Sequence, residues 1–302
     1  MDTSGSPTTK PGGLETDSGE RRHKRHHPKL QLLLGATIIV AAVGMALFAS
    51  VLAPRNPLTQ TLAIRLQPPG TTIEGKLYLL GTDQLGRDLL SRTIYGAQIS
   101  LLVSGGAVLM SALVGVLLGM VSGYYGGRVD FVLMKLADIQ LAFPFVLLAI
   151  AVVAIVGSSL TTMTVVLAFS GWVIYTRTVR AAVLSLRERE FIDAAQALGS
   201  SNFRILIQHL FPNVVSIILV IASVEVAKMI LLESTISFLG LGIQPPTPTW
   251  GNILGEGRQY IDTAWWIAFF PGIALMTTVL GINFFSDGLR DYLDPHQRRR
   301  LA

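Results

Sequence analysis

Glu190-Phe-Ile-Asp-Ala-Ala-Gln-Ala-Leu-Gly199, continuing to Leu210-Phe-Pro212, lies between two long apolar segments and sets the reading of the whole chain. Its apolar positions Phe191, Ala194, Ala195 and Leu198 stand at i, i+3, i+4 and i+7, which is one face of a helix. Arg189, Glu190, Asp193 and Gln196 take the other side. Gly199 comes after the last periodic residue, where a helix commonly ends in the left-handed conformation. Ser201 or Asn202 offers a cap for a second helix, whose Phe203, Leu206, Ile207 and Leu210 repeat the spacing. Pro212 suits the first turn of the next apolar segment, because its missing N–H would have no helical acceptor there. The small side chains of Ala194 and Ala195 fit a helix that sinks into a groove on another protein. A connector lying on a membrane surface would show the same periodicity, so spacing alone leaves both open.

The surroundings of this stretch are those of a membrane protein. The chain has 302 residues, 51% of them hydrophobic and 14% charged, with a mean hydropathy of +0.54. A span needs about 20 mostly apolar residues. Six windows qualify: 31–53, 99–123, 131–156, 160–184, 212–234 and 264–287. The first is longer than a signal-peptide core and sits behind a polar tail, so it reads as a retained anchor. With the N-terminus inside, sixteen Lys and Arg fall on the inner side and six on the outer. That bias places both termini in the cytoplasm after six crossings. The fifth window carries Glu225, Lys228 and Glu233, and the third carries Lys135 and Asp138. Ionisable groups at such depth belong against a bundle interior, a partner or water.

The chain divides into three parts. Residues 1–28 form a polar tail, expected to be disordered. Its cluster Arg21-Arg-His-Lys-Arg-His-His27 reads as an orientation signal touching anionic headgroups rather than a nucleic-acid site. Residues 29–98 hold the first span and an external segment rich in proline, from whose Asp88 a short surface helix is expected. Residues 99–302 hold a five-span core with the loop 187–211. The glycines of Gly123-Tyr-Tyr-Gly-Gly-Arg-Val-Asp130 permit a tight inner hairpin. Gly105, Gly106, Gly115 and Gly119 let helices approach closely, inside the bundle or at a subunit interface. Trp265 and Trp266 read as interfacial anchors, with Trp250 left open between anchoring and docking. The absence of cysteine excludes disulfides and thiolate chemistry.

The order Asp193-Ala-Ala, three residues, Gly199, twelve residues, Pro212 resembles the EAA loop of the membrane subunits of bacterial ABC importers. Three further stretches resemble the dipeptide, oligopeptide and nickel permeases of that class, and among them the C-type subunit. They are Gly81-Thr-Asp-Gln-Leu-Gly-Arg-Asp88 with Ser91-Arg92, Glu233-Ser-Thr-Ile-Ser-Phe-Leu-Gly-Leu-Gly242 with Pro245-Pro246 and Trp250-Gly251, and Asp287-Gly-Leu-Arg-Asp-Tyr-Leu-Asp-Pro295. The likeness spans roughly residues 30 to 296. Asp193 stands where such loops usually carry Glu, and Phe211 where Leu usually precedes the proline. The resemblance implies a type I importer permease fold, all-helical, in a bacterial inner membrane. It implies a second homologous permease as heterodimer partner, two ABC ATPases and an extracytoplasmic substrate-binding protein. Glu190, Asp193, Ala194, Ala195, Gly199 and Pro212 would then belong to the ATPase-coupling loop. Glu225 and Lys228 admit two readings, a lining of the cargo pathway that meets peptide termini or a neutralised pair at the permease–permease interface. Glu233 falls in a family-like stretch and suggests gating.

Other classes fit less well. No G-x-x-x-x-G-K-[ST] phosphate loop occurs, so ATP would be hydrolysed by partners and this chain would bind no cofactor or metal. Neither a His-Glu-x-x-His pair nor a G-x-S-x-G elbow is present for a membrane hydrolase. A self-sufficient carrier or channel, the remaining alternative, commonly shows inverted internal symmetry that is not visible here.

Overall fold

The computed structural model describes residues 28–293, which are mostly helical; the basic tail through His27 and residues 294–302 lie outside them. Helix α1 (Pro28–Leu47) leads into the single turn α2 (Ala49–Leu52). The segment that follows, expected to be external, departs from the all-helical expectation. Strand β1 (Thr71–Ile73) pairs antiparallel with β2 (Lys76–Tyr78), Thr72 opposite Leu77. Glu74 and Gly75 close the hairpin with φ of +50° and +72°, as a two-residue primed turn requires.

Helix α3 (Leu89–Tyr125) begins where Asp88 accepts the Ser91 N–H at 2.8 Å. Nothing breaks it for 37 residues, so the short surface helix expected after Asp88 is the first part of α3. The boundary expected at 98/99 likewise falls inside this helix. At 1.5 Å per residue α3 is about 55 Å long, well beyond the hydrocarbon thickness of about 30 Å. The turn to α4 (Gly127–Ala142) uses Gly126 and Gly127, with φ of +63° and +55°.

The third expected span is broken. Helix α5 (Phe145–Val156) meets α4 at 86°. Pro144 supplies no N–H to continue the ladder and holds Phe143 extended, at φ −100° and ψ 134°. Next come α6 (Leu160–Arg187), α7 (Glu190–Ala197), the single turn α8 (Asn202–Arg204), and α9 (Phe211–Phe238). The last helices are α10 (Trp250–Gly257) and α11 (Trp266–Leu293). Four helices among the described residues are long and apolar enough to cross a membrane: α1, α3, the run through α9, and α11. The bent α4–α5 pair, counted as one span, makes a fifth. Helix α6 has the length, 28 residues, but Thr161, Thr162, Thr164, Arg177 and Arg180 dilute its apolarity.

Two seams of small residues hold the bundle. Along α3, Gly115, Gly119 and Gly123 recur every four residues and face α6. A Cβ on Gly119 would lie 2.7 Å from the Thr176 carbonyl oxygen and 2.9 Å from the Val179 Cβ. Dispersion, which replaces the hydrophobic drive between helices in lipid, needs this close approach. On the other side of the bundle Gly35, Gly281 and Gly288 let α1 lie directly on α11. The glycines Gly115 and Gly119 therefore serve internal packing.

Candidate functional site

Helix α6 ends at Arg187, and α7 starts two residues beyond Glu188. Glu190 and Asp193 lie in the first turn of α7, where carboxylates favour the positive end of the helix dipole. The Gly199 N–H donates to the Gln196 carbonyl at 2.9 Å and the Ser200 N–H to the Ala195 carbonyl at 3.0 Å. With Gly199 at φ +75° this is a Schellman stop. No atom lies within 4 Å of a Cβ built there, so backbone conformation, not space, calls for glycine. Ser201, rather than Asn202, caps the next turn by accepting the Arg204 N–H. Asn202 instead accepts the Tyr124 hydroxyl at 2.9 Å, and Arg187 Nη1 donates to the Tyr124 carbonyl at 3.1 Å. The loop is thereby tied to the end of α3.

The expected apolar face of α7 divides. Ile192 and Ala195 are buried against Val116 and Met120 of α3 and Tyr175, Val179 and Val183 of α6. Phe191, Ala194 and Leu198 point outward; Leu198 is 87% exposed. The second half repeats the pattern. Ile205, Leu206 and Leu210 join the same cluster, while Phe203 is 74% exposed and Ile207 is exposed. Sequence periodicity registers both apolar stripes as one face; only the fold separates the covered one from the uncovered one.

Pro212 stands in the first turn of α9, as expected, but no gap precedes it. The backbone runs without a break from Asn202 to Phe238, and Ile205–Leu210 widens into a π-helical turn immediately before Phe211 and Pro212. A wide turn relieves the clash and lost hydrogen bond that proline brings to a helix interior. Asn213 Nδ2 adds a bond to the His209 carbonyl at 2.6 Å. The second half of the loop and α9 thus form one rod. Close by, Asp130 grips Arg180 through both carboxylate oxygens and accepts the Ser122 hydroxyl at 2.5 Å, fixing the start of α4 to α6.

Midway along α9, Lys228 Nζ lies 3.1 and 3.3 Å from the two Glu225 oxygens. The Glu225 side chain is 7% exposed and that of Lys228 is 49% exposed. Glu225 lines a cavity of about 740 Å³ that runs between α6, α9 and the end of α11, with Ser216, Val220 and Val224 on one wall and Arg290 near the loop end. Glu233 is elsewhere. It is fully buried and accepts the Ser100 hydroxyl at 3.0 Å and the Ser237 hydroxyl at 2.8 Å, joining α9 to α3.

At the end opposite the loop, a closed charge group joins the segment before α3 to α10. Arg87 and Arg92 each reach both Asp83 and Glu256, at 2.6 and 2.8 Å. Gln84 Nε2 donates to Glu256 at 2.7 Å. Burial raises the Glu256 carboxyl, but the Arg92 hydrogen bonds and charge, with Gln84 and Arg87, outweigh it and hold it below its ordinary value. Two of the arginines that run against the inner-side bias are therefore neutralised within the protein. Thr249 and Asn252 cap α10 reciprocally. Trp250 is wholly buried, donating to the Thr93 carbonyl at 3.0 Å, so it neither anchors nor docks. Trp266 is also core, bonded to the Thr82 carbonyl at 3.1 Å; Trp265 remains half exposed. Among the described residues no cluster of three or more His, Asp or Glu forms a metal site.

Residues 115–299 match the family described as the binding-protein-dependent transport system inner membrane component. The chain is 41% identical to a di/tripeptide transport system permease protein of Pseudomonas aeruginosa, over 86% of each chain. It is 42% identical to a dipeptide transport system permease protein of Alkalihalophilus pseudofirmus, over 88% of this chain and 86% of the relative. A dipeptide transport system permease protein of Bacillus subtilis is 37% identical over 94% of this chain and 87% of its own.

Proposed function

This chain belongs to the binding-protein-dependent transport system inner membrane components, as a multi-pass permease of the dipeptide and oligopeptide ABC class, and we propose that it forms half of an ATP-driven pathway for short peptides. The names of its relatives favour di- and tripeptides over nickel complexes as cargo. Six crossings are proposed, with the bent α4–α5 pair supplying the fifth and α6, which apolarity alone does not single out, the sixth. A homologous permease would complete the pathway, an external binding protein would deliver cargo, and two ATPases would hydrolyse ATP that this chain does not bind.

The uncovered apolar stripe Phe191, Leu198, Phe203 and Ile207 carries the coupling part of this reading. Apolar side chains grouped on a polar loop mark an interaction surface. The stripe's opposite side is keyed into α3 and α6, and its second half is continuous with α9. A push on the loop is thus delivered to three helices at once, and the bundle responds by rocking between two states whose balance nucleotide sets at a distance. Glu190, Asp193 and Ala194 lie on the exposed side, Gly199 and Pro212 at the turns that aim it.

The test is Leu198→Asp combined with Phe203→Asp in the assembled transporter. ATP-dependent dipeptide uptake is expected to fall at least about tenfold, as loss of ~1.4 kcal/mol of contact gives, with unchanged abundance in the membrane. Normal uptake at normal abundance would contradict the reading.

A further inference from the structure

Glu225 sits 14 residues from the start of α9 and 13 from its end, so it is about 20 Å from either terminus of that apolar helix. A carboxylate there is costly unless paired, and its partner is the ammonium of Lys228. The two are unequal. Glu225 is fixed and almost covered, whereas Lys228 is half exposed on a long flexible stem. The carboxylate also borders the open cavity, where the neighbouring Val224 is exposed.

We propose that Glu225 is a transit station for the ammonium group of cargo and that Lys228 is the tethered stand-in that occupies it between transits. The inference rests on the peptide-permease reading above. Lys228 Nζ is a primary ammonium, the same chemical class as the α-amino terminus of a peptide. Exchange of one ammonium for the other leaves the buried carboxylate paired throughout, while the displaced Lys228 ammonium is taken up on its half-exposed side. Lys228 has room to swing aside because half its side chain is already uncovered. The cavity volume of about 740 Å³ holds a short peptide, and its aliphatic wall of Ile174, Ile217 and Val220 imposes no side-chain preference. The station thus selects for a cation and is indifferent to the rest of the peptide.

The chain has no cysteine, so Val224→Cys places a single thiol beside the station. In transporters assembled with cysteine-free partners, the rate ratio of 2-aminoethyl to 2-sulfonatoethyl methanethiosulfonate is expected to rise about tenfold on Lys228→Met, which unmasks the carboxylate, in the range by which charged clefts concentrate counter-ions. Glu225→Gln should lower that ratio below the parent's, and turnover of dipeptide should slow labelling. A small neutral methanethiosulfonate reports whether the thiol is reachable. A ratio unaltered by Lys228→Met, a ratio unaltered by Glu225→Gln, or a thiol closed to the neutral reagent would each overturn the station. If the parent transporter takes up dipeptide in those cases, the peptide-permease reading survives; if it takes up none, that reading fails first.

Discussion

Replacing Arg92 by methionine would leave Asp83 and Glu256 facing each other inside the protein with Arg87 as their remaining shared cation among the described residues. Breaking a buried pair by removing one partner costs about 3–5 kcal/mol. The expected outcome is a clear drop in the thermal unfolding temperature of the detergent-solubilised protein; an unchanged transition would contradict it. Glu256 gives the same group a pH signature. Its carboxyl is held below the ordinary value, so it adds stability above the unfolded pKa of about 4.3 and loses it as pH falls through the lower folded value. Unfolding temperature should therefore be flat from neutral pH to about pH 5 and decline below that. Glu256→Gln should lower the plateau and flatten the acid decline. This group was not legible in the sequence, because Glu256 and Arg92 are 164 residues apart and nothing local pairs them. Gly199 was legible and the cap was narrowed to Ser201 or Asn202, since a helix stop and a cap are decided by a few neighbouring backbone groups.

Between elements, the glycine seam of α3 makes the sharper contrast. A methyl group at Gly119 meets α6 backbone at 2.7 Å, whereas Gly105, earlier on the same helix, has nothing within 4 Å. Gly119→Ala should destabilise by about 1–3 kcal/mol through overpacking. Gly105→Ala should be neutral or gain up to about 1 kcal/mol from helix propensity. Thermal unfolding of the two variants side by side checks this; equal effects would contradict the seam. Most helices were legible from apolar length. The break at Pro144 was not, because apolar residues on both sides of a bend read the same as an uninterrupted span. The inner and outer stripes of α7 were also merged by periodicity, since a subunit built for an assembly is apolar towards its own bundle and towards its partner. Pro212 was legible as a first-turn residue of α9; the π-helical turn that joins it without a gap to the loop was not, because nothing in local spacing marks it.

For the molecule as a whole, the described residues put two fastened ends on one bundle. The end opposite the loop is locked by ion pairs and by the Glu233 hydroxyl cradle, and the loop end is seated in α3, α6 and α9 while offering an apolar stripe to something outside the chain. On the coupling proposed above, such a body would rock as a unit when the stripe is pushed, and the cavity beside Glu225 would open or close with it. The most direct measurement is a single Leu198→Cys, in a chain that otherwise has no cysteine, joined by a short bifunctional cross-linker in transport-active complexes. The account predicts an adduct with a nucleotide-hydrolysing subunit whose yield changes between nucleotide-free and ATP-bound states. Complexes that transport peptide yet never give that adduct would contradict it.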